Sequence, residues 1–159
     1  MVVPTDFLSW ERLYSLWCKA YVRLAGLQKC VSFAGYRSDV YSLMAGAEAF
    51  VMTSLSEGFG LTTAEAMLNR CLVIARNTAG SKEQLDRGLA LTGSEIGLRF
   101  DTHAQLAAHL HSVESEKNAP IFESMKVNAF KTVDELYTVD AYASKVDEFY
   151  NKVLDFRSL

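Results

Sequence analysis

Ser54-Leu55-Ser56-Glu57-Gly58-Phe59-Gly60-Leu61-Thr62-Thr63-Ala64-Glu65-Ala66-Met67 is the stretch from which the architecture of this 159-residue chain can be read. An apolar run, Ala49-Phe50-Val51-Met52, comes just before it, and a helical pattern follows. The order is strand, glycine loop, helix, with one carboxylate on the loop and one on the helix. A glycine loop brings backbone N–H groups close to an anion, and the helix start adds the positive end of its dipole. Carboxylates beside such a site do not bind phosphate; they accept hydrogen bonds from hydroxyl groups. Phosphate next to hydroxyls is the chemistry of a sugar nucleotide.

Composition narrows the alternatives. The length suits one domain spanning 1–159. Hydrophobic residues make up 50% of the chain, enough for a core, and 22% charged is ordinary. A net charge of −3 without a dense Lys/Arg patch argues against nucleic acid as partner. Cys18, Cys30 and Cys71 stand far apart in no CxxC pattern, and read as buried thiols of a reducing compartment. No signal peptide or spanning apolar run is visible, so the expected location is cytoplasmic.

Strand and helix patterns alternate. Leu8, Leu13, Leu16, Trp17, Ala20, Tyr21 and Leu24 recur near a 3.6 period, predicting a helix over 7–26. Cys30 to Ala34 reads as a strand ending at Gly35, and Ser38 or Asp39 as the cap of a helix to Ala45. Glu48 to Thr53 reads as a strand buried on both faces. A helix over 62–69 and a strand over 71–75 follow. Asn77 to Ser81 is expected as a loop, then a short helix over 82–86 and a strand over 96–100. Thr102-His103-Ala104-Gln105 fits a capping box opening a helix to Ser115. Pro120 suits the first turn of another helix, Tyr137-Thr138 interrupts it, and a last helix covers 140–155; together these make a C-terminal helical region over about 102–157. The alternation predicts an α/β fold, a Rossmann-like parallel sheet with helices on both faces. Ligands of such sheets sit beyond the carboxyl ends of the strands, where the glycine loop falls.

Glu57-Gly58-Phe59-Gly60-Leu61 with Glu65-Ala66-Met67 resembles the two-glutamate signature of retaining glycosyltransferases built from two Rossmann-like domains (the GT-B fold). Within these the chain is most similar to the family 4 group, which includes sucrose synthases, bacterial mannosyltransferases and capsule or lipopolysaccharide enzymes. Val31 to Gly35, Ala47 to Val51, Leu72 to Ala75 with Ala79, Gly80 and Glu83, and Tyr142 to Tyr150 extend the likeness over 10–155. The resemblance implies the C-terminal, donor-binding half, truncated at its N-terminus: the N-terminal acceptor domain, the first strand and the Arg and Lys that contact the diphosphate are not in this sequence. Two departures stand out. Thr53 and Ser54 occupy the region where the family carries Pro, and Arg70-Cys71 stand where it carries Gly and Pro.

The resemblance also assigns roles. Glu57 would be the catalytic-site acid, accepting hydrogen bonds from the donor sugar. The amides of Gly58, Phe59, Gly60 and Leu61 would face sugar and diphosphate, with Thr62 near the phosphates and Glu65 on the ribose. Gly35, Tyr36 and Arg37 would border the base. The implied substrate is a nucleotide-diphosphate sugar, the acceptor a glycan, lipid or other hydroxyl, and no metal or other cofactor is expected. Plainer readings stand beside these. Thr62 to Glu65 also fits a capping box, as does Ser81 to Gln84. Glu57 could be a solvated loop acid, the glycines turn residues, and Arg37 and Lys82 surface cations. His103, His109 and His111 lack partners at metal-ligand spacing.

Two other functions remain open: a non-catalytic nucleotide-sugar-binding module, favoured by the missing basic pair, and a sugar-nucleotide epimerase, disfavoured by the absence of an acid/base His. The stripe Trp10, Leu13, Tyr14, Trp17 and Tyr21, with Arg12, Lys19 and Arg23 nearby, is expected to pack on the sheet; the other reading is peripheral contact with the inner face of a membrane. Unpaired sheet edges would invite self-association.

Overall fold

Leu72-Val73-Ile74-Ala75 is buried throughout and forms the middle of the sheet in the computed structural model, which describes residues 10–156. The described residues fall into two compact units, the first ending at Ser38 and the second beginning at Asp39.

The first unit carries helix α1 (Trp10–Leu24). Positions 7–9 of the expected helix lie outside the described residues. The aromatic stripe is not buried: Trp10 is 86% exposed and Trp17 61%, with Trp17 stacked between Tyr14 and Tyr21 at 6.1 and 5.8 Å. The expected strand over Cys30–Ala34 does not form: Cys30 lies in a turn, residues 31–34 enter no ladder, and the Cys30 and Val31 amides donate to Leu27 O. Residues with β propensity become a strand only where a neighbour completes the ladder, and none of the described residues does so here. Cys30 is exposed and Cys18 half-buried, so only Cys71 matches the expected buried thiols; burial pushes its thiol up.

The second unit runs α2 (Val40–Gly46), β1 (Ala49–Met52), α3 (Leu61–Leu68), β2 (Leu72–Arg76), α4 (Ala79–Thr92), β3 (Leu98–Phe100), α5 (His103–Val113), α6 (Ala119–Leu136) and α7 (Val139–Phe156). The sheet order is β1-β2-β3, all parallel, with Ala49 opposite Leu72 and Ile74 opposite Leu98. Helices flank this sheet. The core gathers Ala66 and Met67 of α3, Val73 and Ala75 of β2, Leu85 of α4, Ile96, and Ala129 and Val133 of α6. β1 is half-buried at all four residues rather than buried on both faces, because it is an edge strand with one ladder partner.

Local chemistry explains most boundaries. The capping box at Thr102 and Gln105 is formed, and Pro120 lies in the first turn of α6. The other two expected boxes are absent: α3 begins after Gly60 and α4 after Thr78, neither with a side-chain cap bond. α4 is 14 residues long, well beyond the short helix expected, because its interior glycine meets a packing need. A Cβ at Gly88 would lie 2.7 Å from Ile96 Cγ1, so glycine lets the helix approach the chain leading into β3.

The end of α3 accounts for one departure from the family pattern. Arg70 has φ 54°, the left-handed geometry that glycine adopts freely, while its N–H donates to Met67 O and that of Cys71 to Ala66 O. These two bonds form a Schellman cap. The Arg70 guanidinium sits 4.6 Å from the Phe130 ring centre, a cation–π contact with α6. Left-handed geometry costs a non-glycine residue about 1 kcal/mol, and an exposed cation–π contact returns about 0.5–1 kcal/mol. Arg70→Gly, which removes both terms, is therefore expected to change stability by less than about 0.5 kcal/mol, whereas Arg70→Ala keeps the strain and loses the contact, costing about 0.5–1 kcal/mol. Urea denaturation of the two variants checks the order; Arg70→Ala as stable as Arg70→Gly would contradict it.

Candidate functional site

β1 delivers the chain to the loop over 53–60 at the carboxyl end of the sheet, and α4 holds that loop from behind. Thr78 Oγ1 donates to Ser54 O at 3.1 Å, and Ser81 Oγ donates to Glu57 Oε1. Gln84 Nε2 donates to Phe59 O at 2.5 Å and to Gly60 O at 3.2 Å. Ser81 and Gln84 are fully buried, so the donor side of their bonds is shielded from water. Gly80 makes the approach feasible: a Cβ there would lie 2.6 Å from Gly58 O and overlap the Phe59 carbonyl. Ala79, just before it, takes φ 43°, a strained geometry for a residue with a side chain.

The two glycines of the loop differ. Gly60 has φ 82°, and a Cβ there would sit 3.0 Å from Glu57 Oε1, so this position requires glycine. Gly58 has no positive φ, and a Cβ there meets nothing within 4 Å, so its backbone angle does not demand glycine. Among the described residues none accepts a hydrogen bond from the N–H groups of Gly58, Phe59, Gly60, Leu61 or Thr62, and Leu61 and Thr62 are exposed at the first turn of α3. The loop thus has carbonyls tied down on one side and amides without internal partners.

Glu57 and Glu65 are both half-buried and have different partners. Glu57 is fixed by Ser81 of α4, whereas Glu65 Oε1 accepts from Tyr41 OH of α2 at 3.0 Å. Glu65 is not a helix cap. Phe59 turns to the other side of the loop, edge-on to Tyr137 at 5.2 Å, beside a cavity of about 530 Å³ lined also by Glu83, Arg87 and Tyr142 but not by either signature acid. Glu83 pairs with Arg87 at 2.6 Å and Lys82 with Asp86 at 2.6 Å, which makes both surface ion pairs. Gly35, Tyr36 and Arg37 belong to the first unit; Gly35 has φ 64° and Tyr36 is fully exposed. Sequence reasoning missed Tyr41, Thr63, Ser81 and Gln84 as site residues. Ser81 and Gln84 were masked by their fit to a capping box, and Tyr41 by its distance in sequence from Glu65.

A model of the family "Glycosyl transferases group 1" matches residues 14–132 of the chain. The chain belongs to this glycosyl transferase family. Its fold is that of the C-terminal half of a GT-B enzyme. Anabaena Alr3699/HepE, solved in complex with UDP, is similar with a TM-score of 0.77 and 23% identity over 91% of this chain. The same protein in complex with UDP-glucose gives 0.73 and 24% over 89%. The C-terminal domain of the group 1 protein LpcC from Francisella tularensis gives 0.61 and 23% over 86%. The chain spans 38% of the HepE chain and 66% of the LpcC domain chain. No curated protein matches. No described helix of this glycosyl transferase domain is long and apolar enough to cross a membrane.

The Tyr41–Glu65 contact has a pH signature. The hydrogen bond from Tyr41 to the carboxylate, then the negative charge itself, raise the phenol above its usual 10.0. A raised folded value means that the bond is fully present below pH 10 and is lost as pH rises through the shifted titration. In Glu65→Gln the Tyr41 titration is expected to fall back toward 10.0, read from its ring ¹³C shift by NMR. An unmoved titration would separate the two side chains in solution.

Proposed function

We propose that this domain binds a nucleotide-diphosphate sugar on the 57–65 stretch, as the donor-binding part of a retaining glycosyltransferase whose acceptor is a hydroxyl of a glycan, lipid or other molecule. The observation that carries the reading is the two-sided loop: its Phe59 and Gly60 carbonyls are anchored by Gln84, while five successive N–H groups, from Gly58 through the first two residues of α3, find no acceptor among the described residues, flanked by two carboxylates. Amides and a helix start suit a diphosphate, and carboxylates suit hydroxyls. The UDP and UDP-glucose held by HepE make a uridine nucleotide the first donor to try.

In this reading the amides of Gly58 to Leu61, with Thr62, receive the diphosphate charge as the sugar–oxygen bond breaks. Preorganised donors aimed at developing charge are usually the largest catalytic contribution, and no metal is needed for that role. Glu57 accepts from sugar hydroxyls and orients the donor; it is not a base. Glu65 accepts from the ribose.

A thermal-shift screen over UDP-, GDP- and ADP-sugars tests the reading. A ligand at a hundred times its Kd adds about 2.7 kcal/mol to the folded state, so a selective rise in Tm identifies the donor. Removing a hydrogen bond to a charged group costs about 1.5–3 kcal/mol. Glu57→Ala is therefore expected to weaken the sugar nucleotide about ten-fold or more while sparing the free diphosphate, and Glu65→Ala to weaken both. The chain alone is expected to bind without transferring sugar. No shift with any nucleotide sugar would refute the proposal.

A further inference from the structure

Two buried hydroxyls lie behind Glu57. Thr63 Oγ1 and Ser81 Oγ are 3.0 Å apart, both residues are fully buried, and Ser81 Oγ contacts Glu57 Oε1. Proton counting fixes the direction. An ionised carboxylate only accepts, so Ser81 spends its single hydroxyl proton on Glu57. The Thr63–Ser81 bond then has Thr63 as donor. The chain is one-way, from α3 through α4 to the loop, and each donor polarises the next. Gly60 belongs to the same device, because any Cβ there would press on the oxygen that Ser81 holds.

We propose that Thr63 and Ser81 are positioning residues that fix one oxygen of Glu57 and leave its second oxygen as the acceptor for a donor-sugar hydroxyl. The proposal rests on the nucleotide-sugar reading of the loop. It assigns the sugar contact to a preset carboxylate rather than to a side chain that is ordered by the ligand. A preset acceptor loses less rotamer freedom on binding, so the relay acts on the sugar and not on the diphosphate. Gln84 works in parallel on the backbone, through the Phe59 and Gly60 carbonyls.

The test compares each nucleotide sugar with its own diphosphate (UDP-glucose with UDP, GDP-mannose with GDP, ADP-glucose with ADP) by calorimetry, in the whole chain. Ser81→Ala is expected to weaken the sugar nucleotide by about two- to ten-fold and the diphosphate less than about two-fold, the size of ordering one side chain on binding. Thr63→Val should give a smaller loss of the same kind, and Thr63→Ser, which keeps the hydroxyl, should restore wild-type binding. In a Glu57→Ala background Ser81→Ala should add little, because the acceptor on which Ser81 acts is gone. Equal weakening of sugar nucleotide and diphosphate, or full additivity in the double variant, overturns the positioning role alone. Wild-type chain that binds neither form of any pair overturns the nucleotide-sugar reading and the positioning role with it. Hydrogen exchange of the ligand-free chain then decides the relay as structure: Ser81→Ala should speed exchange of the Thr63 and Ala64 amides, which donate to Gly60 O, about ten-fold relative to β2, and unchanged exchange means the relay does not hold the loop. Where Ser81→Ala alone unfolds the domain, the Thr63→Val/Ser81→Ala pair, which leaves no orphaned donor, carries the same comparison.

Discussion

The approach of α4 to the glycine loop is the constraint on which the candidate site depends. A loop with two glycines in three residues has no intrinsic reason to hold one conformation, because glycine gives up more backbone freedom on ordering than any other residue. Here the ordering comes from a neighbouring helix. Gly80 removes the atom that would keep the two backbones apart, Gln84 occupies two carbonyls, and Ser81 pins the acid. The anchoring falls on the side that presents carbonyls, and the amides at the start of α3 are left without internal acceptors. A loop anchored the other way round would present oxygens to an anion and repel it.

This division of labour places much of the site outside the signature itself. The acids and glycines between 57 and 65 carry the recognisable string, but their geometry is set by Thr63, Thr78, Gly80, Ser81 and Gln84. The Arg70 turn shows the same principle at the far end of α3. Arginine stands where the related family carries glycine, yet the left-handed turn and both Schellman bonds are kept, with Phe130 receiving the guanidinium. Backbone geometry is retained while the residue that adopts it changes, which is possible because an αL turn costs a side chain only about 1 kcal/mol.

What the sequence revealed follows from how local each determinant is. β2 and the capping box at Thr102 depend on residues within a few positions, and both were legible. So was the strand-loop-helix order around Glu57. The segment over Cys30–Ala34 has strand composition but no ladder, since pairing is a property of neighbours and not of a string. α4 was read too short because Gly80 and Gly88 look like breaks in isolation; each is a contact point, to the loop and to Ile96 respectively. The capping-box pattern at Ser81 and Gln84 was a false lead of the same origin. A Ser-x-x-Gln box forms only where the serine is the N-cap, and here α4 begins after Thr78, so both side chains lie inside the helix and donate instead to a carboxylate 24 residues away and to two carbonyls.

The two signature acids are therefore unequal before any ligand arrives. Glu57 is tied to a hydroxyl that is fully buried and has its own donor behind it, so that bond is not easily exchanged. Glu65 is tied to Tyr41, which is 56% exposed and can swing into water with little loss. A ribose hydroxyl reaching Glu65 would replace one hydroxyl donor with another at nearly equal free energy. A sugar hydroxyl reaching Glu57 finds one oxygen already spoken for and must use the other. The nucleoside end of such a site would be adaptable and the sugar end preset, so discrimination between donors that differ only in hydroxyl stereochemistry would fall to Glu57 and the hydroxyl pair behind it.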